Sequence, residues 1–206
     1  MIVAILGDEQ FKKEWNSKPL SDGVEVIWVD SVRALTITEA DVYIDGLFVQ
    51  DNERTQQLKK STGTVLVNAV AHTTKKIGAN FIRINAWPTF LQRPITEVAG
   101  SDEEAIKKVF DQLQWPYQIV PDIPGMITGR VVAMIINEAY YTLGVSSAEE
   151  IDVAMKLGTS YPYGPFEWSK LIGLNRIYEL LQALSKTEER YEIAPALETA
   201  VTNDHS

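Results

Sequence analysis

Five short apolar runs, MIVAIL, VEVIWVD, ADVYIDGLF, TGTVLVNAV and NFIRINAW, follow one another through the first 87 residues. Runs this short and this continuous suit strands buried on both faces, as in a parallel sheet. Polar helical segments lie between them: FKKEWNS after the first and DNERTQQLKKS after the third. Strands alternating with helices imply crossover units, and hence a parallel sheet covered by helices. The stretch NFIRINAWPTFLQRPITEV, residues 80–98, starts as a strand, enters a loop at Pro88 and ends near the carboxylate of Glu97. After it, Ser101 and Glu104 in SDEE are spaced as a capping box for a helix over EEAIKKVFDQL, and YQIVPD is a last strand.

From Pro124 onward the spacing becomes helical. MITGRVVAMIINEAYYTL is a long apolar helix, Ser146 or Ser147 caps AEEIDVAMKLG, and GPFEWSKLIGLNRIYELLQAL and TEERYEIAPALETAV follow. The boundary is placed near Pro121–Pro124, giving an α/β unit over 1–121 and an all-helical unit over 122–206. A helix apolar on nearly every side needs cover on all of them, either from its neighbours or from a second subunit.

Composition narrows the function classes. The formal net charge of -9 repels phosphate backbones, which argues against nucleic acid as a partner. No cysteine is present, so disulfides, thiolate nucleophiles and thiolate metal sites are excluded. The opening MIVAILGDEQ is too short and too soon acidic for a signal peptide, and no apolar run is long enough to span a membrane. A reducing cytoplasm is the expected location.

The first strand-to-helix turn is where a dinucleotide-binding sheet places its glycine loop, because bare backbone amides must approach a pyrophosphate. Here the turn is GDEQF: Gly7 is kept, but Asp8 and Glu9 stand where phosphates would sit. Asp30, at the end of the second strand, has the position of a ribose-binding acid, or it caps the following segment.

The helical half carries a specific pattern. DIPGMITGRVVAMIINEA, then SSAEEIDVAMKLGTSYPYGPFEWSKLIGL, resembles the C-terminal domain of 3-hydroxyacyl-CoA dehydrogenases, with its D-x-P-G-F-x-x-N-R, N-E-A, E-D-I-D-x-A-M-K-L-G and G-Y-P-M-G-P-F-E-L. In the first half, residues 80–98 are similar to the family's R-F-x-G-x-H-F-F-N-P-V-P-x-M-x-L-V-E-V. The resemblance implies a Rossmann-like α/β domain followed by a helical domain through which members form homodimers. It also implies that ten residues between Asp30 and Asp41 replace a helical excursion that contacts coenzyme A.

The family oxidises a 3-hydroxyl by passing hydride to NAD, while a His oriented by a Glu takes the proton. The resemblance puts Glu97 at the Glu position, Asn85 at the His, Val70 at a substrate-binding Ser and Gly129 at a substrate-binding Asn. An amide cannot take a proton near neutrality, and a missing acid-base group costs about 10²–10⁴-fold in rate. The expectation is a reduced homologue without NAD, a dimeric binding or structural protein whose small-molecule or acyl-CoA ligand is open. The alternative is an NAD(P)-dependent dehydrogenase with Glu97 or His72 as substitute base. His205, in the terminal TNDHS, has no expected role, and Trp87 and Phe90 could plug the substrate entrance.

Overall fold

In the computed structural model, residues 1–204 are described and fall into two units, Met1–Met126 and Ile127–Ser206. His205 lies outside the described residues. The first unit holds seven strands: β1 (Ile2–Leu6), β2 (Glu25–Val29), β3 (Val42–Asp45), β4 (Thr64–Val67), β5 (Ile82–Ile84), β6 (Thr96–Ala99) and β7 (Tyr117–Ile119). Its helices are α1 (Glu9–Asn16), α2 (Val32–Ile37), α3 (Asn52–Leu58), α4 (Thr74–Ile77) and α5 (Glu103–Leu113).

The sheet runs β2-β1-β3-β4-β5-β6-β7; the first five strands are parallel, and β6 turns antiparallel to β5. Alternate residues of β1 divide between two cores. Val3 and Ile5 pack with Phe11 and Trp15 of α1 and Ile106 and Phe110 of α5. Ala4 and Leu6 pack with Leu35 of α2, Leu58 of α3 and Ile77 of α4. Period-two burial on both sides of a strand is what continuous apolar runs require. The common dinucleotide-binding order is 3-2-1-4-5-6. Here β2 is the outermost strand on its side, because the chain returns through the short α2 directly to β3.

Several details differ from the sequence reading. TEVA is a strand, β6, rather than the tail of a loop: it pairs through Arg83↔Ala99 and Ile84↔Val98. Asp102, not Ser101, caps α5, its carboxylate accepting the Ala105 N–H at 2.9 Å. The first unit also extends to Met126 instead of ending at 121. Asp122 accepts hydrogen bonds from the Thr74 hydroxyl and the Arg83 guanidinium, Gly125 N donates to Val70 O, and Met126 is buried with Ala99 and Val120. Those bonds hold 122–126 on the sheet.

The second unit contains α6 (Thr128–Thr142), α7 (Ala148–Thr159), α8 (Pro165–Ile172), α9 (Leu174–Ser185), a 3-10 turn (Glu189–Tyr191) and α10 (Pro195–Asp204). The single helix expected over 164–184 is broken at Gly173, whose φ of 94° is open to glycine. Ser147 and Glu150 form the capping box of α7. The central α6 buries Val132, Ala133, Ile136 and Asn137, yet leaves Val131 and Tyr141 about half exposed, so one side of it is open. Among the described residues no helix is long and apolar enough to cross a membrane.

The family-like letters of this unit fix its loops. Asp152 is buried on α7 and accepts the Phe166 N–H at 2.8 Å and the Glu167 N–H at 3.1 Å, capping α8 with a carboxylate. Asn137 donates to Glu192 O at 2.7 Å and accepts Ala194 N at 2.9 Å, holding the approach to α10. Arg130 pairs with Glu188 and donates to the Tyr191 hydroxyl.

At Gly164 a Cβ would collide with the Asp152 carboxylate. Gly164→Ala is therefore expected to push the cap off α8 and destabilise the protein by ~2–4 kcal/mol, read as a shift of the urea midpoint. Arg83→Met should cost ~3–5 kcal/mol in the same assay, since it leaves the Asp122 carboxylate without its ion partner and strips the carbonyls of Ala69, Val70 and Ile123 of a donor. Burial pushes the Asp122 carboxyl up, but the Thr74 hydroxyl, Arg83 and the Thr74 amide together hold it below its usual value. A depressed folded pKa gives stability that is present above the ordinary carboxylate range and lost on acidification. The stability gap between wild type and Asp122→Asn should thus be flat above about pH 5 and shrink below about pH 4.

Candidate functional site

In an open parallel sheet ligands bind beyond the carboxyl ends of the strands, where the strand order reverses. Here that point lies between β1 and β3, and the chain leaves it through Gly7 and Gly46. A Cβ on Gly7 would stand 2.8 Å from Phe11 Cδ1, and one on Gly46 would stand 2.5 Å from Phe11 Cε2. Both glycines are needed because the Phe11 ring lies across them, itself only 5% exposed. The N-terminus of α1 is taken as well: the Asp8 carboxylate accepts the Phe11 N–H at 2.8 Å. That carboxylate sits where the helix dipole would attract an external anion. Glu9 is exposed in the first turn. Asp30 is exposed at the end of β2, and the following helix is capped by Ser31 instead.

Beyond β3 and β4 the mouth of the sheet is closed by side-chain bonds. Asp45, fully buried at the end of β3, receives two hydrogen bonds from Arg54 of α3 at 2.6 and 2.7 Å. Asn68, at the end of β4, donates to Gly46 O at 3.1 Å and Ala86 O at 2.9 Å and accepts Ala86 N at 3.0 Å. Three strand ends are thereby stitched through one amide.

Asn85 and Glu97 are neighbours across β5 and β6. Asn85 is buried, its amide N donates to Glu97 O at 3.1 Å, and its side chain donates to the Glu97 carboxylate at 3.2 Å. The pair the sequence predicts is therefore assembled, with a carboxamide in contact with the carboxylate. Val70 is buried, and its carbonyl accepts from Arg83 and from Gly125 N. His72 is half-buried in the turn before α4. Gly129 belongs to the helical unit, buried in the first turn of α6.

The loop from 86 to 95 is tied to α1 and packed from within. Thr89 has φ 79° and donates its N–H at 2.6 Å to Glu14, a buried carboxylate of α1. Trp87 and Phe90 are both buried and meet edge to face at 6.3 Å, filling the inside of the loop. Lys18 donates to Arg93 O at 2.9 Å and lies over the Trp115 ring at 4.7 Å. Neither Phe11 nor Arg83 stands out from periodicity alone. The visible hint for each was a mismatch: a bulky ring four residues after the turn glycine, and a cation inside an apolar strand.

Residues 125–206 match the family model of the 3-hydroxyacyl-CoA dehydrogenase C-terminal domain. The chain is 44% identical over 104 residues to a 3-hydroxyadipyl-CoA dehydrogenase of Escherichia coli, covering 47% of this chain and 22% of that one. It is 38% identical over 147 residues to a 3-hydroxybutyryl-CoA dehydrogenase of Bradyrhizobium diazoefficiens, covering 66% and 50%. The chain thus spans half or less of the length of these curated relatives. In three dimensions it is similar to (S)-3-hydroxybutyryl-CoA dehydrogenase from Ralstonia eutropha, with a TM-score of 0.74 over 98% of this chain and 94% of that one; at 19% identity this likeness speaks for the fold. Residues 125–206 thus carry a 3-hydroxyacyl-CoA dehydrogenase C-terminal domain, and the chain as a whole, a Rossmann-like sheet followed by a helical unit, is similar to 3-hydroxyacyl-CoA dehydrogenases in sequence and in fold.

Proposed function

We propose that this chain keeps the family's frame but has lost NAD-dependent oxidation, and that it acts as a dimeric binding protein. The contact between Asn85 and Glu97 carries the reading. In a dehydrogenase of this kind the group against the carboxylate must accept the hydroxyl proton at neutral pH, and a carboxamide does not. The 3.2 Å bond in which the Asn85 amide donates to Glu97 supports this reading.

The dinucleotide side supports the same reading. A pyrophosphate at the β1 turn would meet the Asp8 carboxylate at the helix N-terminus and the Phe11 ring over Gly7 and Gly46. At about 5 Å and an effective dielectric constant of ~20, each like-charge contact costs roughly 3 kcal/mol. The residues present do not fit the cofactor, so no step is assigned to it. The names of the relatives favour the other reading, an active 3-hydroxyacyl-CoA dehydrogenase in which Glu97 or His72 serves as base.

The proposed partner is a second copy, docked through the helical unit. Leu157 and Val153 of α7 are 81% and 51% exposed, and Val131 of α6 is 52% exposed. Between α6 and α7 opens an apolar cavity of about 540 Å³, lined by Met134, Ile135, Ile151, Met155 and Pro165. Apolar surface on two adjacent helices is what a helical dimer buries, and the family pattern implies such a dimer. Nucleic acid and membrane are not among the proposed partners, and the proposed location is the cytoplasm.

Purified protein with 3-hydroxybutyryl-CoA and NAD is expected to show no turnover above an Asn85→Ala, Glu97→Gln control. It is also expected to show no saturable NADH binding by calorimetry; measurable turnover that the control abolishes, or micromolar NADH affinity, would overturn the loss of oxidation. Sedimentation should give twice the 23.1 kDa chain mass, and Leu157→Glu should shift the protein to monomer without lowering its helix content. A wild-type monomer at all concentrations would refute the dimer.

A further inference from the structure

Arg93 has no role in the chemistry described above, yet its backbone and its ring contact fix where it stands. Its backbone is fixed at both ends, the N–H donating to Phe90 O at 3.2 Å and the carbonyl accepting the Lys18 ammonium at 2.9 Å. Its guanidinium carbon lies 3.9 Å from the centroid of the Phe90 ring, and that ring is itself locked against Trp87. The guanidinium is half-buried, and among the described residues it makes no hydrogen bond or ion pair. Burial draws its pKa down from the ordinary value, and the only charge opposing that shift is the nearby Glu97 carboxylate. In the family pattern aligned with residues 80–98, the position of Arg93 carries Met. The site that lost a base has gained a cation.

We propose that Arg93 forms a binding site for a small carboxylate beside the Asn85–Glu97 pair. A guanidinium presents parallel N–H groups that match the two oxygens of a carboxylate, and stacking on a buried ring fixes the plane in advance. Preorganisation of this kind lowers the entropy lost on binding. The chain's net charge is -9, so the two cations here, Arg93 and the Lys18 ammonium on its carbonyl, are a local exception to the overall field. Glu97 selects among anions: its charge repels a phosphate dianion about twice as strongly as a singly charged carboxylate. The ligand class is therefore a monocarboxylate, or the carboxylate end of a longer acid. Naming it rests on the reading of the chain as a binding protein.

The test is a titration with butyrate, followed through the Arg93 Nε–H resonance in a ¹⁵N-labelled sample, with inorganic phosphate as the second arm. Saturable butyrate binding is expected, weakened at least tenfold in Arg93→Lys, which keeps the charge but loses the fork. Arg93→Met, which restores the family's residue type, should bind none; in both variants, which lack the Nε–H, the indole N–H resonance of Trp87, edge-on to Phe90, takes over as probe and is followed in the wild type as well. Unchanged thermal unfolding in both variants shows that they fold. A non-saturating shift, butyrate affinity unchanged in Arg93→Met, or phosphate binding as tightly as butyrate would overturn the proposal. The titration contains no NAD, so its outcome is read separately from the turnover assay: detected oxidation would sink the loss of activity and leave the carboxylate site standing or falling on its own result.

Discussion

The buried guanidinium of Arg83 is the interaction on which the first unit's closure depends. It lies on a central strand with no solvent exposure, donating to Ala69 O and Val70 O on one side and to Asp122 and Ile123 O on the other. A cation taken out of water costs several kcal/mol unless its donors are met, about the scale of a domain's whole net stability. Burial draws the pKa of this arginine down, and the Asp122 carboxylate opposes that shift. Because the acceptors come from the exit of β4 and from the segment after β7, elements distant in sequence are held by one side chain. The carbonyl of Val70, which the family pattern aligns with a substrate-binding serine, is then occupied twice over by structure.

The same division runs through the family-like residues. Those retained in the helical unit have structural duties that can be named: Asp152 caps α8, Gly164 makes room for that cap, Asn137 holds the approach to α10 and Arg130 pairs with Glu188. The replaced ones, Asn85, Val70 and Gly129, are those whose family role the resemblance assigns to chemistry. Buried polar groups with several partners tolerate little change, because an unsatisfied partner costs about 1–3 kcal/mol each. A hydroxyl or imidazole that serves only substrate carries no such constraint on folding. A chain can shed the second kind and still fold.

Periodicity made the strands β1 to β5 and the helices α5 to α7 readable, since each buries an uninterrupted face or stripe. It failed at β6, where TEVA is four residues long and follows two prolines, so only its pairing with β5 distinguishes it from loop. The cap of α5 moved by one residue because Ser101 and Asp102 are both competent and spacing alone cannot choose between adjacent caps. Gly173 was invisible as a break, since glycine within an apolar helical pattern is tolerated unless tertiary structure demands a positive φ. The Asn85–Glu97 contact could be anticipated from alignment of the two letters. The covering ring of Phe11 could not, because it depends on where α1 lies across the strand ends.

That ring and the capping Asp8 change how the acidic turn should be understood. Asp8 and Glu9 repel an anion as charges in solution would, but Asp8 also satisfies a backbone donor that a pyrophosphate would otherwise meet. A bound phosphate would have to displace an intramolecular cap worth about 1 kcal/mol and then face the displaced carboxylate at close range. Moving Phe11 would uncover Gly7 and Gly46 and remove a ring that packs against both Trp15 and Trp28. Phe11 thus joins α1 to the sheet at the two glycines that end β1 and β3.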